Sequence, residues 1–125
     1  MKYLIISLLI NLFLFSNSFS SDCKFSKIQG DKAYSYMLKS LQQDNLDNAI
    51  FYLKKAKRLL DDVALSTQYC GCNQSSLAFQ DASNGAQRAI NSIDVESYLY
   101  EYDSCFRDFI YACELYNKCI SKNKN

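Results

Sequence analysis

The tripeptide Cys70-Gly71-Cys72 joins two halves of a 125-residue sequence that share one pattern of cysteines. A displacement of 49 residues places Cys23 on Cys72 and Cys70 on Cys119 without a gap. The same displacement superimposes apolar and charged residues, among them Ala33 on Ala82, Leu46 on Val95 and Arg58 on Arg107. The sequence therefore predicts an internal repeat, with units at about 23–70 and 72–119.

The first twenty residues have the pattern of a secretory signal peptide. A positive start at Lys2 precedes an apolar run over 3–15, and small residues at 18 and 20 suit a cut before Ser21. The run is short for a membrane span, which favours cleavage over an uncleaved anchor. We therefore expect residues 1–20 to be removed. Residues 21–125 should then form one secreted or periplasmic domain without a stable membrane span.

Composition narrows the chemistry that the domain can perform. All six cysteines follow the signal sequence, and the chain contains no histidine. An even cysteine count in an exported chain favours disulfides over metal binding or redox catalysis. The lack of histidine removes the commonest general base and metal ligand, so we expect no cofactor and no metal. A net charge of +1 is too small to indicate a nucleic-acid partner.

Apolar residues recur at steps of three and four along four segments, which predicts an all-α fold. The predicted helices cover about 27–43, 46–69, 74–91 and 95–120, with residues 21–27 as a non-helical lead. Gly71 suits the left-handed position beyond a helix end. The candidate N-caps are Asn45 or Asp47, Asn73, and Ser92 or Asp94.

The third helix is predicted to differ from the others, because its inward residues are small. They are Ala78, Ala82, Ala86 and Ala89, with Gly85 beside them. We expect the large aromatic side chains of the fourth helix to fill the space that this stripe leaves. Asn84-Gly85 could interrupt the helix, although one continuous helix is favoured.

Each predicted unit runs cysteine, helix, turn, helix, cysteine. In an antiparallel hairpin the start of the first helix lies beside the end of the second. This geometry predicts the disulfides Cys23–Cys70 and Cys72–Cys119. Because Cys70 and Cys72 are so close in sequence, the swapped pairs Cys23–Cys72 and Cys70–Cys119 remain the alternative.

Cys105 and Cys113 have no counterparts in the first half. They are eight residues apart on one predicted helix, about 12 Å along its axis, which is too far for a bond between them. We interpret them as buried thiols that pack like small apolar residues. The alternatives are a disulfide to a partner chain, or an arrangement of helices other than the one that the repeat predicts.

Residues 44–56, DNLDNAIFYLKKA, resemble the turn and second helix of a tetratricopeptide repeat. The match covers about a tenth of the chain, and the period of 49 differs from the 34 residues of that family. The resemblance implies a helical hairpin of solenoid type, and it suggests peptide binding in a groove.

Few residues are candidates for a functional site. Exposed tyrosines are enriched where proteins meet, and Tyr34, Tyr36, Tyr98 and Tyr100 are the candidate partner-binding surface. The basic run at 54–58 is interpreted as a solvated face rather than a binding patch. Asn73 begins an N-glycosylation pattern with Gln74 and Ser75. The carboxylates Asp94, Glu96, Glu101 and Asp103 are spread around one helix start, where exposure to water is favoured over a catalytic pair.

These features favour a non-catalytic protein-binding module over an enzyme. The partner is expected to be another protein, and the chain could act as an inhibitor or immunity-type protein. One alternative is a small secreted enzyme or toxin that uses carboxylates. The other is a structural homo-oligomer linked through Cys105 or Cys113.

Overall fold

Four α-helices make up most of residues 21–123, which are the residues that the computed structural model describes. They are α1 (Ser21–Leu41), α2 (Leu46–Tyr69), α3 (Asn73–Ile90) and α4 (Val95–Asn123). No strand occurs in this part of the chain, so the predicted all-α class is confirmed. The signal peptide predicted over residues 1–20 lies outside the described residues.

α1 begins earlier than the sequence predicted. Residues 21–27 are helical rather than a lead, and the helix ends at Leu41. Contacts with other helices hold this first turn: Cys23 is bonded to Cys70, and the Ser26 hydroxyl shares a 2.7 Å hydrogen bond with that of Ser66. Tertiary contacts thus extend the helix through a segment whose local sequence signal is weak.

α2 and α4 begin after turns that are capped in the same way. The Asn45 side chain accepts a hydrogen bond from the Asn48 N–H at 2.9 Å. The Asp94 carboxylate accepts one from the Ser97 N–H at 2.7 Å, and this bond lowers the pKa of Asp94. These contacts satisfy N–H groups that have no partner inside the helix.

The turn between α2 and α3 is the tightest in the fold. Gly71 adopts φ +90°, as predicted, and the Cys72 N–H donates to the Thr67 carbonyl at 2.8 Å. The prediction that Asn73 caps α3 is wrong. Asn73 is the first helical residue, and Cys72 occupies the cap position without a side-chain hydrogen bond. The three-residue turn leaves no further residue for that role.

Consecutive helices pack against each other, α1 on α2, α2 on α3 and α3 on α4. The partners run antiparallel, since Cys23 near the start of α1 is bonded to Cys70 after α2, while Ser40 near the end of α1 donates to the Ala49 carbonyl in α2 at 2.8 Å. Ser76 at the start of α3 likewise donates to the Ala64 carbonyl near the end of α2 at 2.6 Å.

α4 also contacts α1, through hydrogen bonds made by the hydroxyl groups of three buried tyrosines. Tyr98 is hydrogen-bonded to Ser40, Tyr102 donates to the Met37 carbonyl at 2.7 Å, and Tyr116 donates to the Cys23 carbonyl at 2.6 Å. Contacts therefore run along the length of α1. The four helices close into an antiparallel bundle, rather than the solenoid that the tetratricopeptide resemblance implied.

The alanine stripe of α3 is buried and the helix is continuous, as favoured from the sequence. Gly85 lies so near α4 that a Cβ atom there would be 3.0 Å from the Cys105 Cα. The rings of α4 contact both neighbouring helices: Phe109 meets Phe79 of α3 edge to face with centroids 6.0 Å apart. Phe106 and Phe109 also pack against Tyr34 of α1, with ring centroids 6.3 and 6.1 Å apart. Small residues thus bring α3 close to α4, and aromatic rings fill the wider gap between α4 and α1.

Candidate binding surface

The predicted tyrosine surface is wrong for two of its four residues. Tyr34 and Tyr98 are 4% and 2% exposed, because Tyr34 packs among the rings of α4 and the Tyr98 hydroxyl lies between α1 and α2. Burial raises the pKa of each to about 12. Tyr36 is half-buried on α1, and Tyr100 is exposed on α4.

Tyr36 belongs instead to a group of side chains on the outer face of the α1–α2 hairpin. We call this group the aromatic–lysine cluster; its members are Tyr36, Lys39, Phe51, Tyr52 and Lys55. The rings of Tyr36 and Tyr52 stack across the two helices with centroids 6.4 Å apart. Phe51 meets Tyr52 edge to face at 5.2 Å and remains 52% exposed. An exposed ring beside two half-buried rings is the notable feature of this surface.

Two ammonium groups lie over these rings. Lys55 Nζ is 4.8 Å from the Phe51 centroid and 5.6 Å from that of Tyr36. Lys39 Nζ is 5.6 Å from the Tyr36 centroid and 5.9 Å from that of Tyr52. Such cation–π contacts contribute about 0.5–1 kcal/mol each at exposed sites. Neither ammonium has a carboxylate partner within residues 21–123, so both remain available to an anion.

Sequence reasoning missed this cluster because it treated the basic run at 54–58 as uniform. Lys54 and Arg58 are exposed, and Lys57 pairs with Asp61 at 3.0 Å, as expected of a solvated face. Lys55 differs from its neighbours because it lies four residues after Phe51. That spacing, together with the step of three positions from Tyr36 to Lys39, is the signal that could have revealed the contacts.

The four cysteines at the helix ends form the two disulfides predicted from the hairpin geometry. Cys23 pairs with Cys70 and Cys72 with Cys119, with Cα atoms 5.3 and 5.8 Å apart. The two bonds are adjacent, because Cys70 Sγ lies 3.8 Å from Cys72 Sγ. This end of the bundle therefore carries four sulfur atoms in one group.

Cys105 and Cys113 are buried and unpaired, which confirms the favoured interpretation. Burial raises the pKa of Cys105 to about 12 and that of Cys113 well above its ordinary value. A disulfide from either residue to a partner chain would require the fold to open. Burial therefore argues against the intermolecular bond that the sequence left as an alternative.

The acidic residues near the start of α4 do not converge. Asp94 caps the helix, Glu101 accepts from Arg88 at 3.0 Å, and Asp103 lies 3.1 Å from the Arg107 guanidinium. Glu96 is exposed. Each of these three carboxylates is thus paired with a backbone N–H or an arginine side chain, and not with a second carboxylate.

A groove of about 730 Å³ lies beside the Cys72–Cys119 disulfide, between the start of α3 and the end of α4. Its lining includes Gln74, Leu115, Lys118 and Lys122. The candidate glycosylation residue Asn73 is exposed at its edge.

Comparison with known proteins gives no relative: no family model, no curated protein and no solved structure matches the chain. Within residues 21–123, none of the helices combines the length and apolar character that a membrane span needs. The class defined by the structure is therefore a disulfide-bonded antiparallel bundle of four helices.

Proposed function

We propose that the chain is a non-catalytic protein-binding module whose binding surface is the aromatic–lysine cluster. The observation that carries this proposal is the group of half-exposed rings beneath two unpaired ammonium groups on the outer face of α1 and α2. The partner is a protein that presents carboxylate side chains.

The composition of the cluster supports an interface with protein. Aromatic residues are enriched in the buried centres of interfaces, where a few of them supply most of the binding energy. The rings are already stacked on neighbouring helices, so binding orders few additional side chains. Their positions are fixed by a hairpin that a disulfide closes.

Charge supports an acidic partner. Residues 21–70 contain eight Lys and Arg against six Asp and Glu, whereas residues 71–125 contain five against seven. The positive excess thus falls in the half of the chain that carries the cluster. Complementary charge mainly increases the association rate and selects the partner.

The test is affinity capture from the secreted fraction of the source cells, followed by calorimetry with the captured protein. The substitutions Phe51→Ala and Lys39→Ala remove one exposed ring and one ammonium. The matched control substitutes Tyr100 and Tyr111, exposed aromatic residues on α4. We expect the control to keep the affinity and the cluster variant to lose more than about tenfold, as truncation of an interface anchor does. If the captured partner binds the cluster variant and the control with equal affinity, the proposal is overturned.

The chain is also proposed to act outside the cytoplasm after cleavage before Ser21. The disulfides support this location, because such bonds persist in oxidising compartments. N-terminal sequencing of the secreted protein tests it. A mature chain that begins at Met1 contradicts it.

A duplicated hairpin is the origin that we propose for the fold. Both disulfides join residues 47 apart, and the capping residues Asn45 and Asp94 occupy equivalent positions in the two halves. Related chains in which the two halves are more alike would support duplication. Related chains in which one of the two units has an origin independent of the other would contradict it.

A further inference from the structure

Four cysteines meet at one end of the bundle, and each belongs to a different helix end. Cys23 is in the first turn of α1, Cys70 follows α2, Cys72 precedes α3, and Cys119 is near the end of α4. The sulfur atoms of Cys23, Cys70 and Cys72 all lie within 4.8 Å of one another, and Cys119 is bonded to Cys72. Tertiary structure therefore brings together all four sulfurs, which the sequence separates by up to 96 positions.

We propose that, when both disulfides are reduced, these four cysteines bind one thiophilic d¹⁰ metal ion such as Zn²⁺ as a tetrathiolate site. The inference is independent of the aromatic–lysine cluster, because it concerns cysteine thiolates rather than aromatic rings and ammonium groups, and because it involves other residues. The proposal departs from the sequence-based expectation of no metal, which was argued from the export signal, the predicted disulfides and the lack of histidine.

The sulfur positions fit a tetrahedral ion. Zinc–sulfur bonds of about 2.3 Å place the ligands of a tetrahedral site about 3.8 Å apart. Cys70 Sγ and Cys72 Sγ are 3.8 Å apart while each is bonded to another cysteine. Within each disulfide, reduction allows the two sulfurs to separate to the same distance through rotation of the side chains.

The surroundings also suit a soft ion. Cys23 and Cys72 are each only 2% exposed, whereas Cys70 and Cys119 are partly exposed, so a bound ion would be shielded from water on one side. Thiolates select zinc and copper(I) over harder cations. The remaining cysteines, Cys105 and Cys113, lie in the core of the bundle, and they provide a built-in comparison.

The reaction balances with a dithiol as the reductant. Two dithiol molecules supply four electrons and four protons, so both protein disulfides become pairs of thiols and two cyclic disulfides are released. Zinc then displaces four protons as four zinc–sulfur bonds form. One ion would connect the same four helix ends that two covalent bonds connect in the oxidised chain.

The experiment measures zinc binding to the purified chain, oxidised or reduced with a phosphine, which yields the same four thiols. Three proteins are compared: the wild type, the control Cys105→Ser with Cys113→Ser, and the variant Cys72→Ser. We expect no zinc in the oxidised chain and one ion per reduced chain for wild type and control. Cys72→Ser should lower the affinity by more than about tenfold, since even loss of an outer-shell partner costs that much.

Two further measurements prevent a misfolded sample from obscuring the result. Zinc X-ray absorption should show four sulfur ligands at about 2.3 Å. Far-ultraviolet circular dichroism should show that zinc restores helix to any reduced chain that has lost it, since metal binding and folding are coupled. A reduced wild type that binds no zinc overturns the proposal, as does a Cys72→Ser chain that binds it as tightly as the control.

Discussion

Gly85 of α3 lies against the backbone of Cys105 of α4, with space for a hydrogen atom but not for a methyl group. A Cβ atom at position 85 would lie 3.0 Å from Cys105 Cα, 3.1 Å from its Cβ and 3.3 Å from its nitrogen. Two of these three atoms are backbone, so relief requires the helices to separate. The close approach of α3 and α4 therefore depends on this glycine.

Gly85→Ala should destabilise the protein even though alanine favours a helix. The gain in helix propensity is about 1 kcal/mol, and overpacking against a helix backbone costs about 1–3 kcal/mol. We expect a net loss of about 1 kcal/mol in the free energy of urea unfolding. Asn84→Ala, at an exposed position of the same helix, is the control and should be neutral or slightly stabilising. Equal stabilisation by both substitutions would show that the helices can separate without cost.

The buried hydroxyl of Tyr102 should contribute to stability through its hydrogen bond to the Met37 carbonyl. Tyr102→Phe keeps the ring, which stacks on Phe106, and removes only that bond. We expect a loss of about 1 kcal/mol in unfolding free energy, the usual net value of such a bond. Tyr100→Phe is the matched control because Tyr100 is 74% exposed, and it should change stability by less than about 0.5 kcal/mol. Similar values for the two variants would mean that the Tyr102 bond adds nothing to the contact between α4 and α1.

Each disulfide should contribute a similar amount to stability, because each joins residues 47 apart. The chain-entropy model gives about 4 kcal/mol for a loop of this length. The double substitutions Cys23→Ser with Cys70→Ser, and Cys72→Ser with Cys119→Ser, should therefore lower the unfolding free energy by comparable amounts. Peptide mapping of the unreduced wild type provides the control, because the swapped pairing would link different fragments. If the swapped pairing is found, neither double substitution removes a single disulfide, and the comparison is invalid.

The features predicted correctly from the sequence depend on local signals or on chain connectivity. The apolar periodicity of α2 predicted its bounds, Leu46 to Tyr69. The order of cysteines and helices favoured the two observed disulfides over the swapped pairs, because an antiparallel hairpin places the start of its first helix beside the end of its second. The left-handed conformation of Gly71 followed from its position beyond a helix end.

The errors concern contacts between segments that are distant in sequence. Tyr34 and Tyr36 are two positions apart on one helix, yet one is buried against α4 and the other lies on the outer face. Periodicity alone could not assign them, because the placement depends on where α4 packs. Within the aromatic–lysine cluster, local spacing could have indicated the contacts of Lys55 with Phe51 and of Lys39 with Tyr36. The contact of Lys55 with Tyr36 could not be predicted in this way, because it depends on how α1 and α2 are aligned.

The two core thiols should be unreactive in the folded protein. Cys105 and Cys113 are completely buried, and their raised pKa values keep them protonated at neutral pH, where a thiol is a poor nucleophile. We expect iodoacetamide to modify neither residue in the native chain and both after unfolding in urea, as counted by mass spectrometry. A modified native chain, or a dimer on non-reducing electrophoresis that disappears in the Cys105→Ala and Cys113→Ala variant, would contradict this burial.

Stability should fall as the pH rises above about 9, and the core thiols should set where the fall begins. Burial raises the pKa of Cys105 from its ordinary value of 9.0 to about 12, so the folded state keeps a proton that the unfolded chain has lost. Unfolding then releases protons, and the unfolding free energy decreases with pH between these two values. Below pH 9.0 this contribution is fully present. The buried tyrosines act in the same direction, but only above their ordinary value of 10.0.

Urea unfolding at a series of pH values between 8 and 11 separates the two groups. Wild type should lose stability from about pH 9, whereas the Cys105→Ala and Cys113→Ala variant should remain level until about pH 10, where tyrosine ionisation begins. The cavity left by each substitution lowers stability at every pH, and it does not change the slope. Parallel curves for the two proteins between pH 8 and 10 would show that the thiols ionise as readily in the fold as in the unfolded chain, which is incompatible with their burial in the bundle core.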